Sequence, residues 1–438
     1  MSQRYYRLSW VKPERIIISG SSFAAGFFTG MLARVIEEHG PVRGKEEALK
    51  LFFDPAYFGK ISFPEMQKPD WEIGKEFVSD IEKAVLFPFS KEMHALIRYE
   101  DMLPFEVTGV YDIPFSPFLG KKAEAIAGVC NGSEKLQIGN IEDVLRKGPD
   151  FDTIIMGHMQ EIDETSGKDY SGRIHAYAEK HGLKLYSYDR IDRNRRCFSP
   201  VIGIKDVPIG RFGKLRDRTV PLLGVFGTGS RQGKYTVQLG LKQEMVQRGY
   251  KICHISTEPN GYLLGADAVY PDGYGISVDI QGMDAVMALN EMIWDTADKK
   301  GYDLLIAGGQ SGVTPYAFCN DALYNFPGIE FLLGIAPDLV IIMINPFDDP
   351  EYINRTVRTI TGLTEADVLC LILFPVMKEA TKFGLGKRET KLSKKEVKAT
   401  CKRIEDTTGL LVLNLDEPEI YEKLADMVIA ALGEDDGI

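Results

Sequence analysis

The stretch that decides the fold of half the chain is LLGVFGTGSRQGKYTVQLGLKQEMVQRGY, residues 222–250. An apolar run ends at Phe226, a glycine-rich loop follows, and a helix with apolar residues along one face then begins. Strand, loop and helix in this order are what a phosphate-binding P-loop needs. Its glycines let backbone N–H groups point inward, and the helix N-terminus adds partial positive charge. The stretch therefore predicts a P-loop in which Lys234 reaches the phosphates.

The loop departs from the strict pattern GxxxxGK[ST] at two points. Gly227 and Gly233 are separated by five residues, and Tyr235 follows the lysine where a serine or threonine is usual. Thr236 stands one place later, and we expect its hydroxyl to be the metal ligand. The residues predicted to bind the phosphate-bearing cofactor are Gly227, Thr228, Gly229, Ser230, Arg231, Gln232, Gly233, Lys234, Tyr235 and Thr236.

Strand-like and helical segments alternate from this loop to the end of the chain, which is typical of a parallel α/β sheet. We therefore predict a P-loop NTPase-type parallel α/β domain over residues 221–438. The predicted strands are Leu222–Phe226, Lys251–Ser256, Asp303–Ala307, Leu339–Ile344, Val368–Phe374 and Leu410–Leu415, and the last helix is Pro418–Leu432.

The first half alternates in the same way and predicts a Rossmann-like N-terminal domain over residues 1–200. Its predicted strands are Arg15–Ser19, Phe105–Tyr111, Asp152–Gly157 and Lys184–Tyr188, and its predicted helices are a run ending near His39, Lys121–Ala127, Ile141–Lys147 and Tyr170–His181. Residues 40–103 are rich in Phe, Pro and Lys, and we interpret them as an irregular insertion. Periodicity fades over residues 201–220, which we interpret as a linker.

Composition favours small-molecule metabolism. A chain of 438 residues predicts two domains, and its net charge of −11 argues against a nucleic-acid or anionic-membrane binder. The six cysteines form no CxxC pair, so we expect reduced, mostly buried thiols. The N-terminus has no signal-peptide pattern, and no apolar run is long enough to span a membrane. We expect a cytoplasmic protein that forms a homo-oligomer.

With these motifs, the chain resembles the two-domain P-loop proteins of the D-glutamate N-acetyltransferase-like family, and its longer loop is similar to that of dethiobiotin synthetase. The family's loop has the same extra residue and a bulky side chain before the threonine, as in GTGSRQGKYT. The resemblance spans roughly residues 221–375. Further matching positions are Thr257 to Gly261, Gly275, Asp279, Asp284, Glu291, Gly309 to Gly312 and Ala336 to Asp338.

One departure from the family concerns acid chemistry. The family places a glutamate just before the Gly-Gln pair, and this chain has Gly308 there. Such an acid holds magnesium through water or positions a nucleophile, so another group has to replace it. The candidate catalytic residues are Asp279, Glu258 and Gln310. Helix capping is an equal alternative for Asp279, whereas Gln310 follows a strand at the sheet edge where open α/β sheets bind ligands.

Three functions are compatible with these residues. In the first, the chain is an enzyme that uses ATP with Mg²⁺ to activate a small amino-acid-like or carboxylate substrate for group transfer. In the second, which the resemblance implies, it is an acetyl-coenzyme A-dependent N-acyltransferase acting on a D-glutamate-like amino acid. In the third, it is a nucleotide-binding regulatory protein without turnover.

Two further features have both structural and functional interpretations. His158 follows a predicted strand and is a candidate for a cleft between the domains, although an isolated histidine is more often structural. The basic segment Lys378–Lys391 is either a solvated charge run or a cover for a nucleotide or the 3′-phosphate of coenzyme A. GSSFAAGFFTG, residues 20–30, is a weak dinucleotide-like signal without the G-x-G-x-x-G spacing.

Overall fold

The computed structural model describes residues 6–7, 17–18, 70–129, 135–208, 213–272, 277–297, 301–318, 321–323, 325–379 and 388–433. The chain divides into two compact units. The smaller unit comprises Met1–Pro69 and Val207–Lys214. Its described secondary structure is an antiparallel pair, β1 (Tyr6–Arg7) and β2 (Ile17–Ile18). The predicted helix near His39, residues 20–30 and the first part of the predicted insertion, residues 40–69, lie outside the described residues.

The larger unit, Asp70–Asp206 with Leu215–Ile438, contains two parallel sheets, so the fold is α/β as predicted. The N-terminal sheet has six strands in the order β5-β4-β3-β6-β7-β8, all parallel. Its strands are β3 (Lys83–Phe87), β4 (Glu106–Asp112), β5 (Ile138–Asn140), β6 (Thr153–Met156), β7 (Lys184–Ser187) and β8 (Cys197–Phe198). Its helices are α1 (Asp70–Ser79), α2 (His94–Arg98), α3 (Ala123–Ala127), α4 (Ile141–Leu145), α5 (Gln160–Ser166) and α6 (Tyr170–His181).

Numbered along the chain within this sheet, the strand order is 3-2-1-4-5-6, the order of Rossmann folds. The point at which the order reverses lies between β3 and β6. Ligands bind at the carboxyl ends of the strands beside such a switch point. We therefore expect a ligand beside the chain segments that follow β3 and β6.

The C-terminal sheet has seven strands in the order β11-β10-β12-β9-β15-β16-β19, again all parallel. Its strands are β9 (Leu222–Gly227), β10 (Ile252–Ser256), β11 (Ala268–Val269), β12 (Leu304–Gly308), β15 (Leu339–Ile344), β16 (Asp367–Leu373) and β19 (Val412–Asn414). Two antiparallel pairs lie outside the sheet, β13 (Tyr316–Phe318) with β14 (Asp321–Leu323) and β17 (Val376–Glu379) with β18 (Arg388–Lys391). The helices are α7 (Lys234–Gln247), α8 (Met283–Ala297), α9 (Phe326–Ile335), α10 (Pro350–Thr364), α11 (Lys394–Thr408) and α12 (Ile420–Leu432).

The seven-stranded sheet is buried on both faces, which explains its continuous apolar strands. Every residue of β9 and of β15 is buried, as is usual when helices cover both sides of a parallel sheet.

Apolar contacts also join the two sheets within the larger unit. Phe198 of the six-stranded sheet packs edge-on against Tyr262, with ring centroids 5.8 Å apart, and both belong to one buried cluster.

One organisational prediction was wrong in part. Residues 70–103 are not irregular, because they form α1, the first strand of the six-stranded sheet and α2. The predicted linker is also partly ordered, since Ile202 pairs with Val278 in a parallel bridge. The domain boundaries at 200 and 221 stay predictions.

The described cysteines are free thiols, as expected from the sequence, with Cys253 and Cys370 buried. Cys130 and Cys319 lie outside the described residues. Within the described part of the chain, every helix is too short or too polar to cross a lipid bilayer.

Candidate functional site

The glycine-rich loop connects β9, at the centre of the seven-stranded sheet, to α7, as the sequence predicts. Gly233 is the N-cap of α7 and has a φ of 79°, a conformation that residues with a Cβ rarely adopt. A Cβ on Gly227 would lie 2.4 Å from the Oε1 atom of Gln232. The two glycines that define the motif are therefore required by the backbone path and by close packing.

The loop is held in shape by its own polar side chains. Gln232 is buried, and its Oε1 accepts a hydrogen bond from the Gly229 N–H at 2.9 Å. Its Nε2 donates to the Thr228 hydroxyl at 2.6 Å, and that hydroxyl donates to the carboxylate of Asp348. Within the predicted cofactor-binding set, Thr228 and Gln232 thus brace the loop. The loop's own side chains therefore fix its backbone path.

Lys234 is only 6% exposed, and its Nζ donates to the carbonyl oxygen of Gly229 at 2.6 Å. The ammonium group therefore lies against the inner side of the loop. Burial of a cation is costly unless polar or anionic groups surround it. This position is the one from which a P-loop lysine reaches phosphates.

A cavity of about 450 Å³ opens in front of the loop, a size common for small-molecule sites. One wall is the P-loop and the neighbouring strand ends of the seven-stranded sheet. The other wall belongs to the six-stranded sheet, because it is the segment that follows β3. The lining residues are Lys91, Glu92, His94, Ala95, Arg98, Tyr99, Ser230, Arg231, Gln232, Gly233, Lys234, Tyr235, Thr236, Gln238, Thr257, Glu258, Asn260, Gly309, Gln310 and Phe374.

The second wall lies at the switch point of the six-stranded sheet, where the fold predicts a ligand. Hydrogen bonds hold it to the turn after β10. Asn260 donates from Nδ2 to the backbone carbonyl of Glu92 at 2.7 Å, and the buried Tyr186 hydroxyl donates to the Pro259 carbonyl at 2.6 Å. The two walls are thus fixed relative to each other by buried polar contacts.

The cavity is positively charged although the whole chain carries a net charge of −11. Two carboxylates line it, those of Glu92 and Glu258, against four cationic side chains, those of Lys91, Arg98, Arg231 and Lys234. Burial, together with the charge of Arg98, lowers the pKa of His94 to about 4, so this imidazole is neutral at pH 7. The site therefore favours an anionic ligand.

Glu92 is ionised within this wall. Burial raises its pKa, but hydrogen bonds from Ser90 and from the backbone, with the charge of Lys91, outweigh burial and lower the pKa overall. The Lys91 ammonium lies 3.1 Å from Glu92 Oε1. Lys91 and Glu92 thus neutralise each other to a large extent.

Two of the three predicted catalytic residues reach the cavity. Gln310 donates from Nε2 to the Thr257 carbonyl at 3.2 Å, and Glu258 follows β10 at the same sheet edge. Asp279 is not among the residues that line this cavity, and its carboxylate pairs with Arg190 at 2.9 Å. Its backbone N–H donates to the Ile202 carbonyl at 3.2 Å. A catalytic role for Asp279 stays a prediction.

Tyr235 and Thr236 occupy different surroundings at the start of α7. The Tyr235 ring stacks on His254 at 6.1 Å, and burial raises the pKa of its phenol strongly. Burial raises the pKa of Tyr99 in the opposite wall, and the nearby Thr236 side chain partly offsets this. In the described part of the chain, no group of three or more His, Cys, Asp or Glu side chains is arranged to hold a metal ion. The role of Thr236 as a metal ligand stays a prediction.

Gly308 has no room for the side chain of the acid that the family resemblance places at this position. A Cβ at Gly308 would lie 2.2 Å from the Gln238 Nε2 and 2.8 Å from the Val225 carbonyl oxygen. Gln238 is buried, lines the cavity and lies with its Oε1 3.3 Å from His254 Nε2. A neutral amide therefore fills the volume beside Gly308.

Neither Gln238 nor the second wall, residues 91–99, was predicted from the sequence. Gln238 could have been found from its spacing, because a residue four places after Lys234 lies one helical turn further along the same face. The second wall has no comparable signal, since its position depends on how two sheets pack together.

Among the described residues, the remaining candidates do not line the cavity. His158 Nδ1 lies 2.7 Å from Asp189 Oδ1, and neither residue is among those lining the cavity. Gly275, residues 380–387 and the side chains of residues 378–389 lie outside the described residues. The predicted covering role of the basic segment therefore stays a prediction.

The fold and this site define a P-loop NTPase-like protein with a Rossmann-like first half. Residues 211–419 match the family described as "Domain of unknown function (DUF1611_C) P-loop domain". No curated protein sequence matches the chain.

Among solved structures, the chain is similar to a DUF1611 family protein from Anabaena variabilis, with 16% sequence identity and a TM-score of 0.55. The match covers 80% of this chain and all of that one, so the fold is shared over most of the molecule. Weaker likenesses involve a cobyrinic acid a,c-diamide synthase from Mycobacterium smegmatis (12% identity, 49% of this chain, 96% of that chain, TM-score 0.31) and a nucleotide-binding protein from Archaeoglobus fulgidus in complex with ADP (16%, 47%, 85%, 0.28).

Proposed function

We propose that the chain is an enzyme that binds ATP with Mg²⁺ at the P-loop and transfers a group to a small amino-acid-like or carboxylate substrate. The observation that carries the proposal is the positively charged cavity, with the P-loop on one side and the switch point of a second parallel sheet on the other. One wall suits phosphates and the other offers side chains for a second substrate. A cavity of this size accommodates part of a nucleotide beside a small acceptor.

The residues present fit nucleotide phosphates. Lys234 and the N-terminus of α7 supply positive charge, and the braced loop supplies backbone N–H groups. Thr236 and Glu258 are among the cavity-lining residues with oxygen donors, and magnesium requires only one or two protein ligands when phosphates and water complete its shell. When bound, ATP with Mg²⁺ supplies a phosphoryl group that activates a carboxylate. Gln310 and Glu92 are placed to orient the acceptor.

The test is titration calorimetry of Mg-ATP against the natural protein, Lys234→Ala and, as a matched control, Lys251→Ala. Lys251 is an exposed lysine at the opposite end of the sheet, just before β10. We expect Lys234→Ala to weaken binding at least about 30-fold, because truncating one partner of a buried charge pair costs about 2 kcal/mol or more. Lys251→Ala should bind as the natural protein does.

Two results would contradict the proposal. Equal affinity of Lys234→Ala and the natural protein would remove the P-loop from nucleotide binding. Thermal stabilisation by acetyl-coenzyme A without a response to Mg-ATP would assign the loop to a different phosphate-bearing cofactor. Turnover is tested separately, by ADP release with a panel of amino acids of both chiralities.

Gln238 favours a second candidate function, nucleotide binding without turnover. The neutral amide of Gln238 fills the place where the family that this chain resembles carries an acid. A water that attacks the phosphate therefore lacks that acid as a hydrogen-bond partner. In that case Mg-ATP binds, and ADP release stays at background with every acceptor in the panel.

A further inference from the structure

Arg98 is the last residue of α2 and belongs to the cavity wall opposite the P-loop. Its side chain is exposed to the cavity and is fixed in place by the backbone of α3. Nε and Nη2 both donate to the carbonyl oxygen of Ala127, at 3.2 and 3.1 Å. A neutral carbonyl, not a carboxylate, therefore holds the guanidinium group in position.

Within the described part of the chain, no carboxylate lies within ion-pair distance of Arg98. The neighbouring cation, Lys91, differs because it pairs with Glu92. The charge of Arg98 is felt nearby, since it adds to burial in lowering the pKa of His94 to about 4. A fixed guanidinium with two further N–H donors on Nη1 and no carboxylate is suited to an oxyanion.

Two observations place Arg98 beside the first turn of α7. The next residue, Tyr99, lies close enough to Thr236 for the Thr236 side chain to lower the pKa of its phenol, although burial raises that pKa overall. The Tyr421 hydroxyl lies 3.5 Å from the Thr236 carbonyl, and it also experiences the charge of Arg98. Arg98 therefore faces the cavity near the first turn of α7, the helix that follows the P-loop.

We propose that Arg98 is a phosphate-binding residue for the P-loop ligand, supplied in the same chain by the six-stranded sheet. The inference rests on the proposed function, because it requires a phosphate-bearing ligand at the loop. Arg98 then contacts the phosphate chain from the side opposite Lys234, and the ligand joins the two walls. The Rossmann-like sheet contributes a side chain at its switch point in place of a glycine-rich dinucleotide loop.

The test measures Mg-ATP affinity for the natural protein, Arg98→Gln, Arg98→Lys and Arg146→Gln. Glutamine removes the charge but keeps a donor for Ala127, and lysine keeps the charge but loses the planar fork. Arg146 is a control arginine, 74% exposed and outside the cavity. We expect a loss of about tenfold or more for Arg98→Gln, the effect of one charge-assisted hydrogen bond, and a smaller loss for Arg98→Lys. Arg146→Gln should bind within about twofold of the natural protein.

A second readout separates a lost contact from a disturbed fold. If Arg98 contacts phosphate, millimolar guanidinium chloride should restore part of the ATP affinity of Arg98→Ala and leave the affinity of Lys234→Ala unchanged. Equal Mg-ATP affinity of Arg98→Gln and the natural protein would overturn the inference while the proposed function stands. Absence of ATP binding by the natural protein would overturn both.

Discussion

The two parallel sheets of the larger unit both face one cavity with the carboxyl ends of their strands, but they offer different chemical groups to it. The seven-stranded sheet offers backbone N–H groups, because its central strand β9 runs into a glycine-rich loop and the N-terminus of α7. The six-stranded sheet offers side chains, because the first glycine after β3 is Gly109, far beyond the switch point. Its segment of residues 91–99 carries two cations, a carboxylate and a neutral imidazole instead.

The two walls therefore offer a ligand two different kinds of recognition. A backbone cradle recognises phosphate by geometry, whereas a wall of side chains selects by charge and shape. In this protein the first is rigid and internally braced, and the second is fixed by contacts across the cavity. The predictions that follow compare the two regions directly.

The largest expected effect is on the free energy of unfolding and concerns the close packing around Gly308 in β12. Gly308→Glu should destabilise the protein by about 3 kcal/mol or more, because the new side chain meets a backbone carbonyl and a charge is introduced into a buried strand. Urea unfolding monitored by circular dichroism measures the change in the free energy of unfolding. An unaltered transition would show that β12 accommodates a side chain at this position and that a glutamate is tolerated there.

The matched comparison uses alanine in each sheet. A Cβ at Gly308 would lie 2.8 Å from the Val225 carbonyl oxygen, whereas a Cβ at Gly109 would first meet the partly exposed ring of Tyr111 at 2.6 Å. Because a side chain can rotate away more easily than a strand can move, Gly308→Ala should cost more stability than Gly109→Ala. Equal costs would remove this contrast between the sheets.

A smaller effect compares two bidentate arginine pairs, one in each half. Arg216 binds Glu291 through two hydrogen bonds of 2.7 Å and lies 3.6 Å from the centre of the Trp294 ring. Arg173 binds Glu142 with equal distances but is more exposed, at 42% against 28%. Arg216→Ala should cost about 2 kcal/mol and Arg173→Ala about 0.5 kcal/mol, because the first also loses a close cation–π contact. Denaturant titrations of both variants should reproduce this order, and a reversed order would contradict it.

The smallest expected effect is the pH dependence of the protein's stability. His94 has a pKa of about 4 in the folded protein against an ordinary value of 6.5, so the unfolded chain binds its proton first as the pH falls. The stability that neutral His94 contributes is complete above pH 6.5 and is lost progressively between pH 6.5 and 4. Its magnitude is below about 1 kcal/mol, because solvent screens this half-buried group. His94→Asn should therefore lose less stability than the natural protein between pH 7 and pH 5, and an equal loss in both would exclude His94 as a contributor.

How much could be predicted from the sequence differed between the two walls. The P-loop could be predicted because its elements are contiguous in the chain, and strands such as Leu339–Ile344 agree residue for residue with the structure. The strand β3 was missed because KAVLF is short and is followed at once by a proline in an aromatic-rich stretch. Short apolar runs of this kind carry no distinctive period.

What the sequence could not predict at the site has a tertiary origin. Asp279 has a plausible position in the sequence, yet its backbone N–H donates to the Ile202 carbonyl and its carboxylate pairs with Arg190. Arg98 and His94 have no local signal, because their relation to the loop arises only when the two sheets pack around a shared apolar cluster. Contacts that depend on chain segments more than a hundred residues apart are not accessible to pattern analysis of one sequence.

The most direct test of the account is a crystal structure of the natural protein with Mg²⁺ and a non-hydrolysable ATP analogue. The account predicts the triphosphate in the cavity, held by the backbone N–H groups that precede Thr236, by Lys234 and, from the opposite wall, by Arg98. A triphosphate bound away from the loop, or a cavity that stays empty at saturating nucleotide, would contradict it.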